Sequence, residues 1–254
     1  MQNRGFIQSA GYIAQGWRLV RTPGLRRFVW MPLLINFLVF GALGWWISTW
    51  ASSWLDSLAL FSQWGDWWLV AAFRSLLQWI MSIVLIFSLA YFFTLLANLI
   101  GAPFNGLLAE RVEAHLSGDT SPPAPPVMTL IKSIPRLMWS EMSKLAYLVI
   151  CIVPLLLLQF VPVIQLVAPF LLFLFAAWMF ALEYLDYPMG NSGAVFRDVR
   201  RSLRKKRRTA YGFGSAVALV SMVPILNLVI MPVAVAGATA LYVDNVRDDF
   251  LAKA

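Results

Sequence analysis

The run Thr22-Pro23-Gly24-Leu25-Arg26-Arg27 assembles residue types that can hold an anion at the start of a helix. Thr is a favoured N-cap residue, and Pro fits the first helical position, where its missing N–H is no loss. A helix begun there leaves the N–H groups of Gly24, Leu25 and Arg26 unpaired and aimed outward. Gly24 has no Cβ, so an anion can approach the main chain closely. The positive end of the helix dipole favours that anion. Arg26 and Arg27 add charged planar forks suited to a tetrahedral oxyanion. The same arginines have a second reading, as a cation pair that fixes topology at a membrane boundary. Spacing alone leaves both readings open.

A second constellation is Gly101-Ala102-Pro103-Phe104-Asn105-Gly106-Leu107-Leu108-Ala109-Glu110-Arg111. A Gly-x-Pro sequence at the end of an apolar helix is expected to interrupt it and free backbone groups, some within reach of the Asn105 amide. Glu110 and Arg111 are adjacent, so they point about 100° apart on a helix and need not pair with each other. Asn105, Glu110 and Arg111 are candidates for a pathway or gate, with a structural ion pair at the interface as the plainer alternative. Enzyme chemistry lacks actors. The chain has no Gly-x-x-x-x-Gly-Lys-Ser/Thr phosphate loop, no Gly-x-Ser-x-Gly and no His-Glu-x-x-His. A single cysteine, Cys151, and a single histidine, His115, exclude an intrachain disulfide and a zinc site of the usual ligand count. No catalytic residue, metal or cofactor is expected.

These motifs sit in a chain composed for a membrane. Of 254 residues, 60% are hydrophobic and 13% charged, against about a quarter charged in a soluble domain. Residues 28–55, 75–109, 145–182 and 209–243 carry no Asp, Glu, Lys or Arg. A bilayer core takes about 20 apolar helical residues. The first two stretches each hold one such helix. The last two are split by Val161-Pro162 and Val223-Pro224. Arms over 209–222 and 226–243 reach roughly 21 and 27 Å, against a core of about 30 Å. The expected fold class is an all-α integral membrane protein: two long transmembrane helices, two Pro-broken helical hairpins short for a full crossing, and amphipathic interfacial helices. Helices broken at membrane depth imply a polar cavity or burial in protein.

Residues 1–27 hold five Arg and no acid, and 197–208 hold eight Lys and Arg against Asp198 alone, whereas 51–74 carries only Asp56, Asp66 and Arg74. Retention of basic residues inside puts the N-terminus, 183–208 and the C-terminus in the cytoplasm, and 51–74 outside. The 197–208 run reads as a topology signal or a surface for anionic headgroups. No folded nucleic-acid module surrounds it, so nucleic acid is not an expected partner. Trp45, Trp46, Trp50, Trp54, Trp64, Trp67 and Trp68 form an interfacial belt. The chain reads as one membrane domain over 1–254. An interfacial helix and anion-binding turn occupy 1–27, a two-span half 28–116, a Pro-rich linker 117–126 and a two-hairpin half 127–254. In that last part, VPVIQLVAP at 161–169 and VPILNLVIMP at 223–232 share Val-Pro, an amide residue and Leu-Val. Paired Pro-interrupted segments of this kind frame transporter sites.

Three stretches together resemble the CysZ family of bacterial sulfate permeases: AQGWRLVRTPGLRRFVWMPLLIN at 14–36, FFTLLANLIGAPFNGLLAERVEAHL at 92–116 and VPILNLVIMPVAVAGATALYVD at 223–244. The resemblance covers nearly the whole chain in length and segment order. It implies sulfate uptake across the bacterial inner membrane to feed cysteine synthesis. It also implies sulfate contacts at Gly24, Leu25, Arg26 and Arg27, half-penetrating hairpins and a homo-oligomer. The expected partners are sulfate, membrane lipid and further copies of the chain. The competing function, drawn from the basic cluster and the amphipathic segments, is a membrane scaffold or regulatory subunit of another transporter.

Overall fold

The structure is a computed structural model that describes residues 5–58, 68–118 and 127–252. Among the described residues every regular element is helical, in the order α1 (Phe6–Leu19), α2 (Arg27–Leu58), α3 (Trp68–Ser117), α4 (Val127–Leu157), α5 (Ala168–Asn191), α6 (Phe196–Lys205), α7 (Arg207–Ser221), α8 (Pro224–Asn245) and α9 (Arg247–Leu251). Trp64, Trp67 and most of the Pro-rich linker fall outside the described residues. Trp45, Trp46 and Trp68 are exposed.

By length and composition, Arg27–Trp46, Ala71–Phe93, Trp139–Phe160 and Ala168–Asn191 are each able to cross a membrane. The first two are the expected spans. The last two are arms of the first hairpin, and they are longer than the charge-free stretch predicts. The reason is electrostatic: Lys144 and Glu183, which bound that stretch, bind each other, so the apolar helices continue past them. The second hairpin keeps the expected shortness on one side, since α7 has 15 residues, about 22 Å. The Gly-x-Pro sequence does not interrupt α3, which runs for 50 residues through Pro103. Proline deletes one N–H, whereas opening the helix in an apolar setting would orphan several backbone groups.

Contacts divide the chain into Trp30–Phe104 and a larger unit of Met1–Val29 with Asn105–Ala254. Within the smaller unit, Phe40 of α2 and Phe93 of α3 meet edge to face, ring centroids 5.2 Å apart. In the larger unit, α1 joins the two hairpins instead of grouping with the spans. Its buried face is Ser9, Tyr12, Gly16 and Leu19, while Phe6 and Ile7 are exposed. The side of α1 that packs into the bundle thus combines the small residues Ser9 and Gly16 with Tyr12 and Leu19. The packing is backbone on backbone: a Cβ at Gly16 would overlap Val233 O, and one at Gly214 would overlap Ala177 O. Only glycine allows so close an approach. Leu182 and Leu185 of α5, Val217 of α7 and Leu241 of α8 are almost wholly buried around these crossings, where close packing, not escape from water, holds helices together in an apolar setting.

The two hairpin tips share a local design. Val161 (φ −91°, ψ 118°) and Val223 (φ −90°, ψ 112°) adopt the same extended conformation, which a following proline imposes. In each, the valine carbonyl accepts the N–H of the amide residue four positions on: Gln165 at 3.0 Å and Asn227 at 2.9 Å. The paths then diverge. Pro224 starts α8 directly, whereas the first tip adds a turn through Val163 at φ +71° before α5 begins. That tip exposes Phe160, Val163 and Leu166, yet the N–H groups of Val161, Gln165, Leu166 and Val167 are bonded within it. Local bonding of this kind lets a broken helix tolerate apolar surroundings without a polar cavity.

Candidate anion-binding site

Helix α1 sets the position of the Thr22–Arg27 turn. Gly212, near the start of α7, lies against Phe6, Gly237 of α8 against Tyr12, and Val233 against Gly16. The helix therefore runs from the closed ends of the hairpins toward the Val223-Pro224 tip, and it delivers the turn to the far side of Val233. The hydroxyl of Tyr12 anchors the other end, donating to Asp244 at 2.9 Å and accepting from Asn245 Nδ2 at 2.8 Å.

Within the turn the predicted cap is replaced by another geometry. Helix α2 begins at Arg27, not at Pro23, and the Thr22 hydroxyl donates backward to Leu19 O. The Leu25 and Arg26 N–H groups both donate to Thr22 O, at 3.2 and 3.3 Å. Two of the three donors expected to face an anion are thus consumed by the turn itself. Among the described residues no acceptor takes the Gly24 N–H. Gly24 sits at φ +93°, so it is required by conformation as well as by access. Leu25 is buried and pins the turn, and Arg26 and Arg27, which follow it, are exposed. Neither guanidinium has a carboxylate partner among the described residues; Arg27 lies over the Phe28 ring at 4.9 Å. The arrangement offers one free N–H and two charge-bearing forks to an oxyanion.

The second constellation lies on α3 and splits by face. Asn105, Leu108, Ala109 and Val112 form a buried stripe, the i, i+3, i+4, i+7 pattern of a packed helix. Glu110 is half-buried and Arg111 exposed, and among the described residues neither makes an ion pair. The Asn105 amide faces the Tyr187 hydroxyl, but its Nδ2 completes no hydrogen bond among the described residues. Nearby, Asn191 Nδ2 donates to Gly106 O at 2.9 Å. No hydrogen bond or ion pair among the described residues joins Asn105, Glu110 or Arg111 to the Gly24–Arg27 turn.

The cluster that spacing did not single out is built on Lys144. This lysine, nearly buried in α4, holds Glu141 at 3.1 Å, Glu183 at 3.0 Å and Asp186 at 2.9 Å. Lys206, at the junction before α7, occupies the equivalent place in the second hairpin, binding Asn245 O and Asp249 Oδ2, the latter at 2.7 Å. Both lysines stand eighteen residues ahead of their tip prolines, Pro162 and Pro224. That shared offset was the available signal, and it extends the repeat from the tips to the closed ends.

Apolar helices of spanning length, two Pro-tipped hairpins and the absence of a strand among the described residues define a multi-pass α-helical membrane protein. The family model described as Sulfate transporter CysZ/Etoposide-induced protein 2.4 matches residues 12–232, and the chain belongs to that family. The match spans the Thr22–Arg27 turn, the Asn105 stripe and both hairpin tips. The family is one of transporters, not of enzymes.

Proposed function

We propose that this chain is a sulfate permease of the bacterial inner membrane that passes sulfate into the cytoplasm for cysteine synthesis. The observation that carries the proposal is the Gly24–Arg27 turn, where the Gly24 N–H has no acceptor and the exposed Arg26 and Arg27 have no carboxylate partner among the described residues. Planar, fixed-charge donors of this kind suit a tetrahedral dianion. Membership of a sulfate-transporter family supports the same ligand. Sulfate binds there first, and Asn105, Glu110 and Arg111 belong to its onward path. The N-terminus and the 183–208 segment face the cytoplasm, and several copies associate into the working assembly.

The test is uptake of labelled sulfate by the purified chain alone in proteoliposomes. Uptake without any partner is the expected result, and uptake that needs a second protein points instead to a scaffold or regulatory subunit. Arg26→Ala and Arg27→Ala each weaken sulfate binding by about 1–3 kcal/mol, the worth of a charge-assisted hydrogen bond. Lysine at either position restores part of the loss. Unchanged binding in both alanine variants returns the arginines to the role of topology markers.

A further inference from the structure

Helix α6 carries a second cationic feature that the sulfate reading does not use. Its fold is locally specified: Asp198 reaches back to the Val195 N–H at 3.1 Å, and Arg204 and Lys205 close the last turn, the charge arrangement a helix dipole favours. Phe196, Val199 and Leu203 are buried against the bundle. The Phe196 N–H donates to Ser140 Oγ at 2.8 Å, which ties the helix start to α4. Four residues separate α6 from the end of α5, and Lys206 alone separates it from α7. Lys144–Asp186 and Lys206–Asn245 close both hairpins at this same end. The helix is therefore pinned where two apolar hairpins end, which is where a bilayer presents its phosphates.

Away from the buried stripe, Arg197, Arg201 and Arg204 are exposed and fall at i, i+4, i+7, one above another on a single face. Arg200 borders that row. Its guanidinium is held over the Tyr147 ring at 4.2 Å, and its buried Nε has no acceptor among the described residues. Segment 197–208 carries six Arg and two Lys against one Asp. Topology sorting counts Lys and Arg alike, so it does not account for arginines stacked in a row. Planar forks suit the phosphodiester of a lipid headgroup.

We infer that Arg197, Arg201 and Arg204, with Arg200 at their edge, form a binding site for the phosphodiester of an anionic phospholipid headgroup. The site is independent of sulfate transport, and its test does not measure transport. The full chain, purified in a non-ionic detergent, is melted with added phosphatidylglycerol or phosphatidylcholine and followed by tryptophan fluorescence. Saturating phosphatidylglycerol raises the midpoint by about 5–10 °C, and phosphatidylcholine leaves it unchanged. The triple variant R197Q/R201Q/R204Q loses most of the rise, and R197K/R201K/R204K keeps part of it. Equal shifts from the two lipids overturn the site. So does an equal shift from inorganic phosphate at matched charge, which means a free-anion site, or from a short RNA, which means a nucleic-acid surface. If the glutamine variant fails to fold, the wild-type lipid comparison and the lysine variant decide alone: a lysine variant that responds as fully as wild type removes the role given to the planar forks.

Discussion

Replacing Lys144 by Met keeps the buried stem and deletes the charge that three carboxylates share. The Lys144 side chain is 10% exposed, Asp186 19%, Glu183 44% and Glu141 60%. Removing one partner of a fully buried pair costs about 3–5 kcal/mol. Glu141 and Glu183 are more than a third exposed and regain water, so each contributes about 0–1 kcal/mol. Asp186 is the group left stranded, and its partial exposure lowers the total to about 2–4 kcal/mol. At roughly 2–4 °C per kcal/mol for a chain of this size, the melting midpoint falls by about 4–16 °C. Tryptophan fluorescence of the purified protein in detergent reads this directly. Lys144→Met/Asp186→Asn recovers at least half of the loss, because the stranded charge is gone, and Glu141→Gln stays within about 1 °C of wild type. A Lys144→Met midpoint equal to wild type, or a double variant no better than the single, refutes the role of this cluster in closing the first hairpin.

Gly214→Val drives a branched side chain into the Ala177 carbonyl, so α5 and α7 separate and little monodisperse protein survives size-exclusion chromatography. Gly11→Ala meets nothing within 4 Å and raises the midpoint slightly, since Ala is favoured over Gly in a helix by about 1 kcal/mol. Tyr12→Phe deletes the hydrogen bonds to Asp244 and Asn245 and costs about 1–3 kcal/mol in the same melt. A cysteine at Val163 resists membrane-impermeant reagent in intact cells if the first hairpin only dips into the bilayer; ready labelling means that its arms, each of spanning length, carry the tip to water.

Much of the architecture was legible because membrane helices advertise themselves. A charge-free stretch with Val-Pro at its middle leaves few alternatives to a helical hairpin, and both tips lie at Val161-Pro162 and Val223-Pro224. Charge does not mark the end of a span in this chain. Lys144 and Glu183 are neutralised by contact across the hairpin, and such pairing is invisible until the arms are brought side by side. Helix α1 shows what the apolar pattern leaves out: its buried side is Ser9, Tyr12, Gly16 and Leu19, small residues among large ones. Helices in an apolar setting associate through small residues and close backbones more than through large apolar ones.

The anion site shows the same limit at a finer scale. Composition pointed to Thr22–Arg27, but the cap geometry inferred from Thr and Pro was displaced by one turn of helix, and with it the set of free donors. This changes which substitution is informative. A branched residue at Gly24 tests anion approach only where glycine's conformational freedom is not in use, and Gly24 lies at φ +93°. Gly24→Val therefore disrupts the turn whether or not an anion binds there. Arg26 and Arg27 carry no such ambiguity, since both are exposed and Leu25 holds the turn from beneath. Gln at either arginine keeps a polar side chain on the exposed face while deleting the charge and the planar fork. A selective loss of sulfate binding in those variants, at an unchanged melting midpoint, separates recognition from architecture.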